Sequence, residues 1–301
     1  MNQDAKVWLN GKLIPRGEAT VPILSHGFSR GSAIFEVLGT HVGPQGTVAF
    51  RLDAHLKRLL KSAELLGMEL GFSTAALAEA VQTTVRENRL RRGLVKILAY
   101  WGEEAVIRLV MEAPLDVAIF AIPESPELGL DDSKPIAACV SKWRKIHPET
   151  VPVAAKACAN YLNGYLARKD ALGRGFNVGI MLGTDGFLAE GSIESVFIVK
   201  DGVLKTPPAG RILSSITRMS ILQAAPQSGI PVAECPLSAE ELYDADEMFT
   251  AHTGIKVSPI KRFEDRKLPA PGPVTRRVLE LMEKILHFED DRFGDWFQVL
   301  S

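Results

Sequence analysis

The sequence predicts an α+β chain of two domains. Three observations predict it. Strand-like runs closed by tight turns recur in both halves. Stretches of helical period stand apart from those runs instead of alternating with them. A segment from Pro123 to Pro135, rich in Pro, Gly, Ser and acid, separates the two sets. The expected layout is an N-terminal α+β domain over 1–122, a linker over 123–135 and a C-terminal α+β domain over 136–301. A length of 301 residues suits that division.

The elements follow in order. Lys6–Leu9 and Lys12–Ile14 flank Asn10-Gly11, the favoured two-residue hairpin turn. Ala33–His41 (AIFEVLGTH) reads as a strand. Leu52, Leu56, Leu59, Ala63 and Leu66 recur at helical spacing, and a second helix fits Ser73–Asn88. Strand-like runs follow at Leu94–Trp101, Ile107–Glu112 and Val117–Ile122. Beyond the linker, strands fit Asn177–Leu182, Ser195–Lys200 with Val203-Leu204 across Asp201-Gly202, Glu247–Ala251 and Lys256–Phe263. Helices fit Cys158–Leu172, Thr217–Ala225 and Pro273–Phe288. There is no internal repeat and no low-complexity tract.

Composition narrows the function classes. With 46% hydrophobic and 24% charged residues the chain has the balance of a soluble globular protein. A net charge of −1 gives no electrostatic footprint for nucleic acid. No apolar run approaches the ~20 residues needed to span a bilayer. The polar start MNQDAKVWLNGKL lacks the apolar run of a signal peptide. Cys139, Cys158 and Cys235 form no CxxC pair, and so sparse and odd a set fits a reducing cytoplasm. His26, His41, His55 and His252 are not spaced as a metal set, so no metal is expected. His55 is read as flanking the helix stripe and His26 as ordering a turn.

Lys156 stands among Val153, Ala154, Ala155, Ala157 and Cys158. Desolvation favours the neutral amine, and a neutral lysine forms Schiff bases with carbonyls. A snorkelling lysine at a domain edge is the alternative. Glu190 is a lone acid after an apolar run, beside Gly191. A buried carboxylate needs a cationic partner, such as a protonated pyridine nitrogen; a turn acid is the alternative. Ser214 or Ser215 caps the helix that starts near Thr217, and free amides at such a start bind anions, although most such serines are only caps. An amine, an acid and a phosphate cradle together are what pyridoxal 5′-phosphate requires.

The stretch KACANYLNGYLARKDALGRGFNVGIMLGTDGFLAEGSIESVFIVKDGVLKTPPAGRILSSITR resembles the core of the fold-type IV (class IV) pyridoxal-phosphate aminotransferases. Within that family it is most similar to the branched-chain amino-acid aminotransferases. SHGFSRGSAIFEVL, RLDAHLKRLLKSAELLGM and PGPVTRRVLELMEKIL extend the resemblance over nearly the whole chain. It implies a D-amino acid aminotransferase-like fold, with a small N-terminal α/β domain and a larger C-terminal pseudo-barrel domain. It also implies a homodimer, and transamination between an apolar L-amino acid and a 2-oxo acid such as 2-oxoglutarate. By the same resemblance Lys156 holds the cofactor and shuttles the proton, Tyr161 meets its phenolic oxygen and Glu190 pairs with its ring nitrogen. Leu213 packs on the ring, while Ser215, Ile216, Thr217 and Thr253 hold the phosphate with added charge from Arg58. Periodicity alone makes Arg58 only a polar flank residue. Glu194 is read as a structural hydrogen-bond partner.

The substrate-reading positions depart from the branched-chain pattern. Ala33, Phe35, Val37, Gly39 and His41 share one strand face. Phe35 matches the family's pocket aromatic. The branched-chain enzymes usually carry glycine at Val37, arginine at Gly39, tyrosine at Arg30 and arginine at Lys96. His252 replaces a glycine in the carboxylate-binding turn with Thr253 and Gly254. Arg30, Phe35, Val37, Lys96, His252, Thr253 and Gly254 are therefore the expected substrate contacts, with Arg30 and Lys96 supplying the missing charge. Two other activities of the fold stand as alternatives. One is 4-amino-4-deoxychorismate lyase, whose usual threonine and arginine are absent at Val37 and Trp101. The other is a D-amino-acid or amine transaminase. A non-catalytic cofactor-binding scaffold is the alternative from another class, and retention of both Lys156 and Glu190 argues against it.

Overall fold

The computed structural model describes residues 5–301; residues 1–4, part of the polar start, lie outside the described residues. The chain divides into two compact units. The first holds the residues up to Leu128 together with Ala155–Ala159 and Asp290–Ser301. The second holds Gly129–Ala154 and Asn160–Glu289. The expected boundaries of 1–122, 123–135 and 136–301 put the two short returns in the C-terminal domain and the division within a longer linker.

In the first unit, β1 (Lys6–Leu9) and β2 (Lys12–Pro15) form the expected hairpin. Asn10 and Gly11 have φ of 46° and 91°, the two left-handed residues such a turn demands. Helix α1 (His26–Arg30) is one short turn capped by Ser25. β3 (Ala33–Gly43) and β4 (Gly46–Phe50) follow, then α2 (Leu52–Leu65), α3 (Thr74–Glu87), β5 (Gly93–Tyr100) and β6 (Asp116–Pro123). Ser73 caps α3 by accepting from Ala76 N. The strands form one antiparallel sheet in the order β4-β3-β5-β6-β1-β2, and a C-terminal strand, Phe297–Val299, extends it beyond β4. Leu56 and Leu59 of α2 and Leu77 and Val81 of α3 pack with Ile34, Leu38, Val95 and Ile97 in one core. Each such fully buried side chain contributes about 2 kcal/mol.

Strand alternation sets what each face carries. On β5, Val95, Ile97 and Ala99 are buried and Lys96 and Leu98 half-buried. On β3, Ile34, Glu36 and Leu38 are fully buried, while Phe35 and Val37 are half-buried. Pairing Phe35 with Leu98 and Val37 with Lys96 places these four on one face.

The run Ile107–Glu112, expected as a strand, is irregular chain. Its β-branched residues suit a strand, but β3 and β6 already occupy both edges of β5. The run is held by loop bonds instead, including His26 Nε2 to Leu109 O at 3.0 Å.

The second unit contains β7 (Ile136–Val140), α4 (Tyr161–Gly173), β8 (Val178–Leu182), β9 (Leu188–Glu190), β10 (Ser195–Lys200) and β11 (Val203–Thr206). It continues with α5 (Ile216–Gln227), β12 (Val232–Glu234), α6 (Ala239–Asp244), β13 (Glu247–Ala251), β14 (Ser258–Phe263), β15 (Arg266–Lys267) and α7 (Pro273–Leu286). Its nine-stranded sheet runs β12-β11-β10-β13-β14-β7-β8-β9, with β15 on β14; β11–β12, β14–β7 and β7–β8 are parallel. Ile180, Val196, Ile198, Met248, Ile260 and Phe263 form its core. Phe197 and Phe249 stack at 4.7 Å across the β10–β13 pair. The Glu247 carboxylate accepts from Val274 N and Thr275 N at the start of α7, where a helix favours negative charge. Both units mix helices and antiparallel strands, as an α+β chain should. No helix among the described residues is long and apolar enough to cross a membrane.

Candidate active site

In the first unit the site is built on β3 and α2. The segment Ala155–Ala159 runs alongside β3: Phe35 N donates to Lys156 O at 3.0 Å, and Ala157 bridges Ile34. Lys156 N donates to Ser62 Oγ at 3.0 Å, and Ser62 Oγ donates to Arg58 O at 2.8 Å. One serine of α2 thus links the turn bearing Arg58 to the main chain of Lys156. Lys156 is half-buried, and its Nζ lies 4.7 Å from the Phe35 ring centre. Lys96 Nζ lies 5.4 Å from the same ring. The structure therefore brings Lys156, Phe35 and Lys96 together, with Val37 opposite Lys96 in register. Cys158 is nearby, and burial pushes its thiol up against the opposing pull of Lys96 and Lys156. Arg30 is exposed and donates to Val106 O at 3.2 Å.

Arg58 is not a flank residue. Its Nε and one terminal nitrogen each lie 2.7 Å from a Glu36 carboxylate oxygen, a two-pronged pair with Arg58 9% exposed and Glu36 fully buried. His55 Nδ1 lies 2.7 Å from the same carboxylate and is buried too. Burial alone would push the Glu36 carboxyl up. The charge and bonds of Arg58, with those of His55, win and hold it at about 2. Burial lowers the His55 pKa, against the opposing pull of Glu36. Sequence reasoning passed over Glu36. The signal was available: a lone acid between Ile34 and Leu38, on the core-facing parity of a strand.

In the second unit Glu190 ends β9 and Tyr161 begins α4. A Cβ at Gly164 would fall 2.0 Å from Ser192 O, so only glycine lets α4 lie this close to the turn after Glu190. Glu194, 4% exposed, pairs with Arg168 and accepts from Ile193 N, the structural role expected of it. The cation beside Glu190 is Lys145, 2.5 Å away, which sequence reasoning also missed. It sits in the ordinary polar run Lys142-Trp143-Arg144-Lys145, and nothing local marks it out.

Leu213 precedes α5, and Ser215 is its N-cap, accepting from Arg218 N at 3.3 Å. The cap leaves the Ile216 and Thr217 amides, at the start of a 12-residue helix, without partners inside the helix. In the later turn, Gly254 N donates to His252 Nδ1 at 3.1 Å, and buried Lys256 donates to Thr253 O. The Gly254 amide is therefore engaged with the ring of His252.

Taken unit by unit, the donors are of the kinds that pyridoxal phosphate requires. The first holds an amine on an apolar segment; the second holds a largely buried carboxylate and a helix start suited to phosphate.

The model of the class IV amino-transferase family matches residues 33–263. A branched-chain-amino-acid aminotransferase of Escherichia coli (strain K12) is 34% identical over 299 residues, 97% of each chain. The branched-chain aminotransferase of the archaeon Thermoproteus uzoniensis, solved with norvaline, superposes with a TM-score of 0.94 over 99% of each chain at 35% identity. The branched-chain amino acid aminotransferase of Thermobaculum terrenum, solved in its holo form with pyridoxal phosphate, gives 0.91 over the whole of both chains at 30% identity. With its sheets, its lysine segment and its match over most of its length, the chain belongs to the class IV aminotransferases, enzymes that use pyridoxal phosphate to move an amino group between an amino acid and a 2-oxo acid.

Proposed function

We propose that this chain transfers the amino group of a branched-chain or other apolar L-amino acid to a 2-oxo acid such as 2-oxoglutarate, acting as a homodimer in the cytoplasm. One observation carries the reading: the shared face of β3 and β5, where Lys156 Nζ stands over the Phe35 ring with Val37 and Lys96 beside it. Phe35 and Val37 offer an apolar wall to the donor side chain. Lys96 has no carboxylate partner among the described residues, and it suits the second carboxylate of 2-oxoglutarate.

When bound, the cofactor supplies an electron sink for the charge that develops at the substrate Cα. The residues do the rest. Lys156 takes the Cα proton and returns it on the other side of the transfer. Tyr161 donates to the cofactor's phenolic oxygen, Glu190 accepts from its ring nitrogen and Leu213 packs on its face. Arg58, Ser215, Ile216, Thr217 and Thr253 hold the phosphate. His252, Thr253 and Gly254 orient the substrate carboxylate.

The homodimer is supported by Ile23, Phe28, Val106, Ile107, Leu109 and Val110, exposed apolar side chains on two laced loops of the first unit. Free Cys139, Cys158 and Cys235 support a reducing compartment.

The test is a donor panel with 2-oxoglutarate. L-Leucine, L-isoleucine and L-valine should form glutamate, and Lys156→Ala should abolish it. Turnover confined to D-alanine, or release of pyruvate by elimination from aminodeoxychorismate, overturns the proposal.

A further inference from the structure

Glu190 is a largely buried acid, and its charge must be balanced before any cofactor arrives. Lys145 Nζ lies 2.5 Å from Glu190 Oε1, with the two side chains 9% and 13% exposed. Both ends of the pair are anchored on β8. Lys145 N donates to Leu182 O at 2.9 Å, and Glu190 pairs with Met181 in the β8–β9 ladder. The nearest approach of the ammonium is to Oε1, and Lys145 is the cation paired with Glu190 among the described residues.

We propose that Lys145 is the resident counter-ion of Glu190, a positioning residue that holds one carboxylate oxygen so that the other stays aimed at the cofactor's ring nitrogen. The inference rests on the role of Glu190 given above. It adds that the acid is set in place by Lys145 in the cofactor-free protein, not by the cofactor. Removing one partner of a buried pair leaves the other charge stranded, whereas removing both does not. That asymmetry separates a counter-ion from a residue that merely fills space.

The experiment is a double-mutant cycle on Lys145→Gln and Glu190→Gln, with Lys145→Arg as the conservative variant. Two quantities are read: the melting temperature of the cofactor-free protein, and its dissociation constant for pyridoxal phosphate from the change in visible absorption. Lys145→Gln should lower the melting temperature and raise the dissociation constant about tenfold, the scale of a lost charge-assisted bond. Lys145→Arg should keep both near wild type. In the Glu190→Gln background, Lys145→Gln should cause no further loss and should raise the melting temperature, because it removes the ammonium that Glu190→Gln leaves stranded. If Lys145→Gln alone fails to fold, recovery of folding in the double variant supports the pairing. Equal losses in both backgrounds, or no loss in either, overturn it. Unchanged cofactor affinity and absorption in Glu190→Gln alone would instead sink the role of Glu190, and the melting cycle would still decide the counter-ion.

Discussion

Glu36 shows how much a single buried charge can set. It anchors Arg58 and His55 at once, and its carboxyl is held at about 2 against an ordinary 4.5. A carboxyl depressed on folding stabilises fully above its unfolded value and loses that stabilisation as pH falls from 4.5 towards 2, here about 3 kcal/mol. His55, lowered from its ordinary 6.5, acts in the same direction at higher pH. The unfolded chain takes its proton below 6.5 while the folded one resists, so stability already falls there. Melting temperatures of the cofactor-free protein should therefore decline in acid in two stages. In Glu36→Gln the lower stage should vanish, and at neutral pH the variant should be weaker by ~3 kcal/mol, because Arg58 is left buried without its partner. Melting curves for variant and wild type that stay parallel from pH 3 to 7 would contradict this. Arg30 is the second residue to test. If it supplies charge to a dicarboxylate, Arg30→Ala should raise KM for 2-oxoglutarate about tenfold or more and spare pyruvate. Its bond to Val106 O offers a different outcome: equal losses with both acceptors would mark it as a tie between loops. Lys156 drew notice in the sequence because its neighbours are apolar. Lys145 did not, since its partner stands far along the chain; for Glu36 the strand parity was a signal, and only its partners were hidden in this way.

Elements were legible where local pattern and burial agree. The first hairpin, α2, α3 and β10–β11 lie close to where turn chemistry and period put them. The run Ile107–Glu112 failed because a strand needs an open edge as well as a suitable composition, and β5 has none. Helix α4 gives a prediction at this scale. Gly164→Ala would place a methyl group 2.0 Å from the Ser192 carbonyl oxygen, backbone that cannot swing aside. The helix must shift, at a cost of ~1–3 kcal/mol, and Tyr161 on its first turn moves with it. Calorimetry should show the loss of stability, and absorption of the bound cofactor should change. A variant with wild-type melting and absorption would mean that α4 accommodates the change.

For the whole molecule, two exposed loops carry the testable consequence. Residues 21–30, which end in α1, and 101–111 are laced by His26 N to Glu103 O, Gly27 N to Trp101 O and Ala105 N to Leu24 O. They leave Ile107 87% exposed beside Val106, Leu109 and Val110. This is the apolar surface that the proposed homodimer would cover. Light scattering should give a dimer mass, and Ile107→Asp with Leu109→Asp should shift it towards monomer. An unchanged dimer would place the interface elsewhere.

By itself the sequence determined the α+β class, most elements, and the family through motifs spread along its length. It also marked Lys156, Glu190 and the α5 start as chemistry out of place in their local setting. Period, turn residues and lone charges among apolar neighbours act over a few residues, so they can be read from a string. Tertiary structure alone decided that Phe297–Val299 returns to β4 and that Ala155–Ala159 runs beside β3. It alone paired Glu36 with Arg58 and His55, and Glu190 with Lys145. Those pairings join residues far apart in the chain, and a buried charge is satisfied by whichever partner the fold brings within reach.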